Sequence, residues 1–330
     1  MSERFVAIGH ITNDLPNKQV PKEHLGGGVS YAAVTAARLG MEAHIITRCP
    51  TDHPYIAELN KLGVDVHVLP YHRDIPNIWL LPSGPDSITS FENTYDSKGN
   101  RTQRVTQIQQ DITPLDINLN VSPALFDGAV VLVAPVIDEV HMDVARGYPG
   151  AKSVSITPQG CFRRVDLDGR VYQKKWRDYM NLPQATIVLS DEDVNIDGRV
   201  HKSLLREIVD ESKMVAFTQG ANGVALLAQE EEPVNVGAFD LEEGEAGDPT
   251  GAGDVFATVF ISEASRTDGD LKAAAVSACY FAAIKIIGAG GFGISSIPDL
   301  AQFKGFATTN SKRTAAYLQK ENIKQLSLLR

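Results

Sequence analysis

Seven short runs of β-prone, mostly apolar residues recur along the chain, at 5–8, 44–47, 130–133, 154–156, 187–189, 215–218 and 224–227. Several are apolar on both faces, the pattern of strands covered by helices on each side of a sheet. Helical patterns alternate with them. Residues 29–39 place Val29, Ala33 and Ala36 on one face, and residues 202–212 turn Leu204, Leu205, Ile208 and Val209 inward. Residues 273–284 are Ala-rich and are followed by Lys285. That run reads as a buried helix, being shorter than the ~18 residues of a membrane span. Alternating β and α predicts an α/β fold built on a doubly wound, mostly parallel sheet.

One segment breaks the alternation. Residues 87–95 (SITSFENTY) and 101–108 (RTQRVTQI) flank the turn signal Ser97-Lys98-Gly99-Asn100. Both runs are β-prone yet mixed-polar on both faces, which predicts a partly solvated ribbon, a lid or a dimer contact, rather than a core element. The acidic cluster Glu230, Glu231 and Glu232 before Pro233 reads as a solvated hairpin tip. With no internal repeat, low-complexity tract or linker, residues 1–330 are expected to form a single domain.

Composition narrows the partners. The chain has 330 residues, 43% hydrophobic and 22% charged, enough for a sizeable core. Its formal net charge of −10 disfavours nucleic acid and anionic membrane surfaces. Cys49, Cys161 and Cys279 lie far apart, and the eight histidines form no HxxxH pair, so no structural zinc is expected. The start, MSERFVAIGH, lacks the basic and long apolar regions of a signal peptide, and a cytoplasmic location is expected.

The chemistry concentrates in GDPTGAGDVFATVF, residues 247–260. Gly251 and Gly253 permit a tight loop with close approach to a ligand. The apolar run from Val255 reads as a helix, whose first free N–H groups and positive dipole end make an anion site. Asp254 stands at the mouth of that loop, where it is placed to take a proton from an attacking hydroxyl. The plainer reading is a glycine-rich turn capped by Asp254. Walker A is excluded because no GK[ST] follows, and Phe256 stands where GxGxxG would need glycine.

The whole string Asp248-Pro-Thr-Gly-Ala-Gly-Asp254 resembles the C-terminal signature of the ribokinase-like (PfkB) carbohydrate kinases. Leu25-Gly26-Gly27-Gly28 leading through Tyr31 to Leu39-Gly40 is similar to the family's double-glycine stretch and its small-residue helix. Gly9-His-Ile-Thr-Asn13-Asp14 resembles the first strand with its substrate-binding Asp, and Thr218-Gln-Gly220-Ala-Asn-Gly223 the nucleotide-side T-x-G-x-x-G. The order and spacing hold from about residue 4 to about residue 300.

The resemblance implies an ATP-dependent kinase of a small alcohol, with Mg2+ carried on the phosphates. It makes Asp254 the base and Gly251, Ala252 and Gly253 the anion hole. Asp14, Gly26, Gly27 and Tyr31 border the substrate, and Thr218, Gly220 and Gly223 the nucleotide. The ribbon at 87–108, with part of 12–25, becomes the family's β lid. A lid excludes water, and its unpaired edges invite a homodimer. A monovalent cation near Asp248 belongs to parts of the family.

Departures bear on the substrate. Tyr31 replaces the Asn that bonds ribose, and Val133 precedes Ala134-Pro135 where the ribokinase branch has a Glu two residues before the Pro. The family's N-x-x-E, tied to magnesium and phosphate, reads Ser190-Asp-Glu-Asp193 here. Gln159, Arg163 and Asp138, at expected strand ends, are either cleft contacts or loop and capping residues. Asn93 and Arg101 are substrate contacts or ribbon surface, and His10 a satisfied strand-end histidine or a ligand contact. The favoured acceptor is a sugar or a cyclitol such as an inositol. The nearest alternative is a nucleoside kinase, with Tyr31 and Phe91 stacking on the base. A catalytically idle sugar sensor is a second alternative, and a nicotinamide oxidoreductase is disfavoured by the failed GxGxxG.

Overall fold

Strand β1 (Arg4–Ile8) shows how the sheet is built. Phe5 and Ala7 enter one hydrophobic cluster and Val6 and Ile8 another, on the opposite face. Its neighbour at 130–133 repeats the alternation, Val130 and Leu132 on one side, Val131 and Val133 on the other. Two-faced burial of this kind requires a layer of cover on each side. The computed structural model describes residues 3–17, 20–72, 84–95, 101–176, 182–196, 199–266, 270–288 and 292–329.

From β1 the chain passes through β2 (Thr12–Asp14), β3 (His24–Gly26), α1 (Gly28–Arg38), β4 (Glu42–Thr47), α2 (Pro54–Lys61) and β5 (Val64–Val68). Next come β6 (Ser90–Tyr95), β7 (Arg101–Gln107), α3 (Pro114–Asn120), β8 (Val130–Val133) and β9 (Ser153–Ile156). A small hairpin, β10 (Arg163–Val165) and β11 (Val171–Gln173), precedes β12 (Leu182–Ser190). The two-residue strands β13 (Asn195–Ile196) and β14 (Arg199–Val200) lead to α4 (Lys202–Glu211), β15 (Ser212–Thr218), β16 (Val224–Leu227) and β17 (Val234–Val236). The remainder is helical: α5 (Ala252–Arg266), α6 (Leu271–Ile287), α7 (Leu300–Thr309) and α8 (Ser311–Lys320).

The main sheet has nine strands in the order β17-β16-β15-β12-β9-β8-β1-β4-β5. All neighbours from β15 to β5 run parallel, and β16 and β17 are antiparallel. This is the mostly parallel, doubly wound sheet that the alternation predicts. The order reverses between β1 and β8, and ligands of such sheets sit outside the strand C-termini at that point. The helices α1, α5 and α6, rich in alanine, pack in the first cluster, where short side chains let their backbones come close.

A second, four-stranded sheet, β3-β2-β6-β7, joins residues 12–14 and 24–26 to the hairpin. It has more of a core than its mixed polarity suggests. Phe91, Val105 and Ile108 are buried with Val136 and Ile137 from the loop after β8. The expected turn at 97–100 lies outside the described residues. Glu230 takes a positive φ of 59° between the antiparallel strands β16 and β17, as a hairpin tip demands.

Candidate active site

Three consecutive glycines connect the two key carboxylates. A methyl group on Gly26 would meet Asp14 Oδ2 at 2.7 Å, and one on Gly28 would meet Asp254 Oδ1 at 2.8 Å. Asp14 and Asp254 therefore flank one extended stretch only two residues, or roughly 7 Å, long. Between them Gly27 takes φ 90°, with His10 O 2.6 Å from where its Cβ would be. Gly27 caps α1 without a side-chain hydrogen bond. The N-caps of α3, α6 and α7 do supply one, from Thr113, Asp270 and Asp299. The opening turn of α1 thus leaves backbone donors available beside Asp254.

Asp254 itself lies in the first turn of α5. Burial pushes its carboxyl up to about 6, and Asp193 adds to the rise, while Arg163 and Lys285 pull it back. Gly251 and Gly253 differ in kind. Gly251 has φ 76° and sits against the Tyr31 ring, 2.2 Å from where a Cβ would be. Gly253 has nothing within 4 Å of that position and is exposed, so the loop opens there. Ala252 begins the helix between them, its N–H donating to Pro249 O at 3.0 Å.

Asp14 accepts from Thr12 Oγ1 at 3.4 Å and lies 3.7 Å from His24 Nε2. The Phe292 ring stands edge-on to His24 at 5.5 Å, and Phe292 is 43% exposed. On the other side, β12 and β15 end in register, Ser190 opposite Thr218. Ser190 N and Oγ both donate to Asp193 Oδ2, at 2.7 and 3.0 Å. Burial raises the Asp193 carboxyl despite these bonds. A cavity of about 330 Å³ reaches Asp193 and is lined by Gln103, Gln159, Phe162, Arg163 and Tyr172. Gly220 has φ 53° and open space about it, whereas a Cβ on Gly223 would overlap Val236 O at 2.1 Å. Gly223 is therefore required by packing against β17.

Other expectations resolve differently. His10 is fully buried, with Nε2 3.0 Å from Gln110 O and Nδ1 2.9 Å from Thr89 Oγ1. Desolvation lowers it to about 4, which makes it a neutral, satisfied strand-end histidine. Glu139, also fully buried, accepts from the N–H groups of His10, Val136 and Ile137 and shapes the loop after β8. Asp138, at φ 69°, is paired with Lys174. Asn93 is held by Gln103 Nε2 at 3.1 Å. The side chain of Arg101 lies outside the described residues. Tyr31 and Phe91, expected as stacking rings, are each only 3% exposed, one against Gly251 and the other inside the small core, so neither offers a face to a base.

Residues 182–296 match the model of the pfkB family carbohydrate kinases. This stretch runs from β12 through the anion loop, with Asp254, to residue 296. That match covers about a third of the chain, which over this stretch resembles the pfkB family carbohydrate kinases. A cytidine kinase of Thermococcus kodakarensis is 22% identical over 272 residues, 79% of this chain and 88% of that protein. Among solved structures, a pyrophosphate-dependent kinase of the ribokinase family in complex with sulfate superposes with TM-score 0.68 at 21% identity, covering 90% of this chain and 99% of that one. A variant of a pyrophosphate-dependent myo-inositol-1 kinase gives 0.66 at 19%, covering 91% and 98%. Arabidopsis thaliana ribokinase complexed with ribose and ATP gives 0.61 at 16%, covering 92% and 98%. These structures share the fold.

Three site residues escape or nearly escape the sequence. Arg163 is one of several loop candidates there, and the fold alone brings its charge to bear on both Asp193 and Asp254. Phe292 carries no motif. Lys285 reads as the end of an apolar run, yet its side chain is 0% exposed and its Nζ donates to Asp248 O at 2.8 Å. A lysine at helical spacing within a buried, alanine-rich helix is the signal that would have found it.

Proposed function

We propose that the protein transfers the terminal phosphoryl group of ATP to a hydroxyl of a sugar or cyclitol. The observation that carries this reading is the glycine stretch 26–28, touching Asp14 on one side and Asp254 on the other beside an open anion loop. Asp14 holds acceptor hydroxyls by charge-assisted hydrogen bonds. Asp254 takes the proton of the attacking hydroxyl as its oxygen bonds to phosphorus and the bond to the departing diphosphate breaks. Backbone N–H groups at Gly251 and Gly253, with the positive end of α5, meet the negative charge that gathers on the phosphoryl oxygens, whereas the Ala252 N–H, expected as a third donor, is taken by Pro249 O. Arg163 adds a cation on the same side. Thr218 and Gly220 border the nucleotide. Magnesium carried with ATP neutralises phosphate charge, and Asp193, buried at the cavity edge beside Ser190, is the carboxylate placed to meet it. The sheet β3-β2-β6-β7 acts as the lid. The bond from Val105 N to Gly169 O covers part of the outer edge of β7, so pairing of two copies through the lid falls to the short edge of β3.

A nucleoside acceptor is the second reading. The likeness to a cytidine kinase and the exposed Phe292 ring beside His24 and Asp14 favour it. The deciding experiment supplies cyclitols, sugars and nucleosides with ATP, and in parallel with pyrophosphate, the donor named for two of the similar structures. Product is followed by phosphorus NMR. Phosphorylation of a cyclitol or sugar with ATP supports the first reading. A nucleoside product favours the second, and turnover with pyrophosphate alone would reassign the donor.

A further inference from the structure

Lys285 has no part in the steps above, yet it is the most deeply buried cation near the anion loop. It projects from the last turns of α6 with its side chain 0% exposed. Its Nζ donates to Asp248 O at 2.8 Å and to Asp248 Oδ2 at 3.3 Å. The same carboxylate receives Gly293 N on Oδ2 at 2.8 Å and Thr250 N on Oδ1 at 2.9 Å. Asp248 thus gathers α6, the 292–296 segment and the start of the anion loop at one point. Lys285 Nζ also lies 5.9 Å from the centre of the Tyr31 ring, and that ring packs on Gly251. The charge reaches Asp254, whose carboxyl it holds down.

A free metal cation at this point would need several oxygen ligands. The two that Asp248 offers toward α6, its carbonyl and Oδ2, already hold an ammonium. Burying an amine costs free energy unless it is paired and bonded, and these two bonds meet that demand. Resting on the kinase reading, we propose that Lys285 is a tethered cation that occupies the position of a monovalent ion behind the anion loop. It fixes Asp248–Gly251 and spares phosphoryl transfer any dependence on potassium. Lys285 is a positioning residue, acting through Asp248 and Tyr31.

The test compares wild type with Lys285→Ala in a buffer whose only cations are choline and the magnesium of the nucleotide. Potassium, ammonium and methylammonium are then titrated at constant ionic strength. Initial rate and melting temperature are both read. Wild type is expected to keep its rate and melting temperature with or without potassium. The variant is expected to lose roughly 10²-fold in rate, the scale of removing one preorganised positive group. Saturable recovery of rate, with a parallel rise in melting temperature, follows when ammonium or potassium fills the vacated position. Wild type activated several-fold by potassium overturns the proposal. So does a folded variant as fast as wild type in choline, or one that responds to none of the cations. If Lys285→Ala does not fold, Lys285→Gln replaces it in the same titrations, and the wild-type response to potassium is read beside it. Absence of wild-type turnover on every acceptor counts against the kinase reading, and the melting curves still report whether Lys285 fills the cation position.

Discussion

Gly251 and Gly253 stand two residues apart and would answer the same substitution in opposite ways. Gly251→Ala forces a left-handed φ of 76° on a side chain that also collides with Tyr31, so it is expected to lower stability by about 1–3 kcal/mol or more. Gly253→Ala meets nothing in the protein, and its methyl group projects where the phosphoryl group is proposed to sit. It is expected to melt like wild type and to turn over far more slowly, which thermal denaturation beside steady-state rates will show. Equal melting temperatures and equal rates for Gly253→Ala would remove the anion hole from this loop. Asp254 gives a second residue-scale prediction. The base works ionised, so kcat/KM should fall as pH drops through about 6, and Arg163→Ala should move that limb to higher pH by removing a positive neighbour. The sign for stability is opposite. A folded carboxyl raised from 3.8 to about 6 binds its proton more tightly in the native state, so its contribution is lost as pH rises through that window. Asp254→Asn should therefore raise the melting temperature at pH 7 relative to wild type and leave little difference at pH 4.

The elements of the main sheet were largely legible, because burial on both faces writes a continuous apolar run such as VVLV in β8. Strand β5, with the sequence VDVHV, was not, since an edge strand has one wetter face and its alternation is brief. The ribbon's existence was legible and its packing was not. Phe91 and Val105 look isolated among polar neighbours until Val136 and Ile137 arrive from a loop some thirty to forty-five positions away. The motif residues Asp14, Gly26 and Asp254 were recognisable one by one, whereas the convergence of Asp14 on Gly26 and of Asp254 on Gly28 is a product of the fold. Lys285 was hidden because sequence spacing says nothing of a carbonyl waiting 37 residues earlier. At this scale the lid can be tested through its anchor. Phe91→Ala empties the small core that seats β6 on the loop after β8 and should loosen closure over the cleft. It is expected to raise ADP release without acceptor relative to acceptor phosphate formed, measured as the ratio of the two products. An unchanged ratio would mean that β6 and β7 do not gate water.

Over the whole molecule, the switch between β1 and β8 explains why distant segments meet. The glycine stretch follows β1, Arg163 follows β9, Asp193 follows β12 and Thr218 ends β15. All open on the C-terminal edge of one sheet, and α5 aims its first turn at the same edge. Against the surplus of acidic residues, net −10 overall, a cationic group such as Arg163 at this edge is distinctive. No helix among the described residues is long and apolar enough to cross a membrane. The most direct test of the account compares wild type with Asp254→Asn for phosphoryl transfer from Mg-ATP to the best acceptor of the panel, with ATP binding measured on both proteins by calorimetry. The account predicts that both bind ATP and that the variant loses about 10²–10⁴ in kcat, the range of a general base. A variant that binds ATP and turns over at the wild-type rate would contradict it.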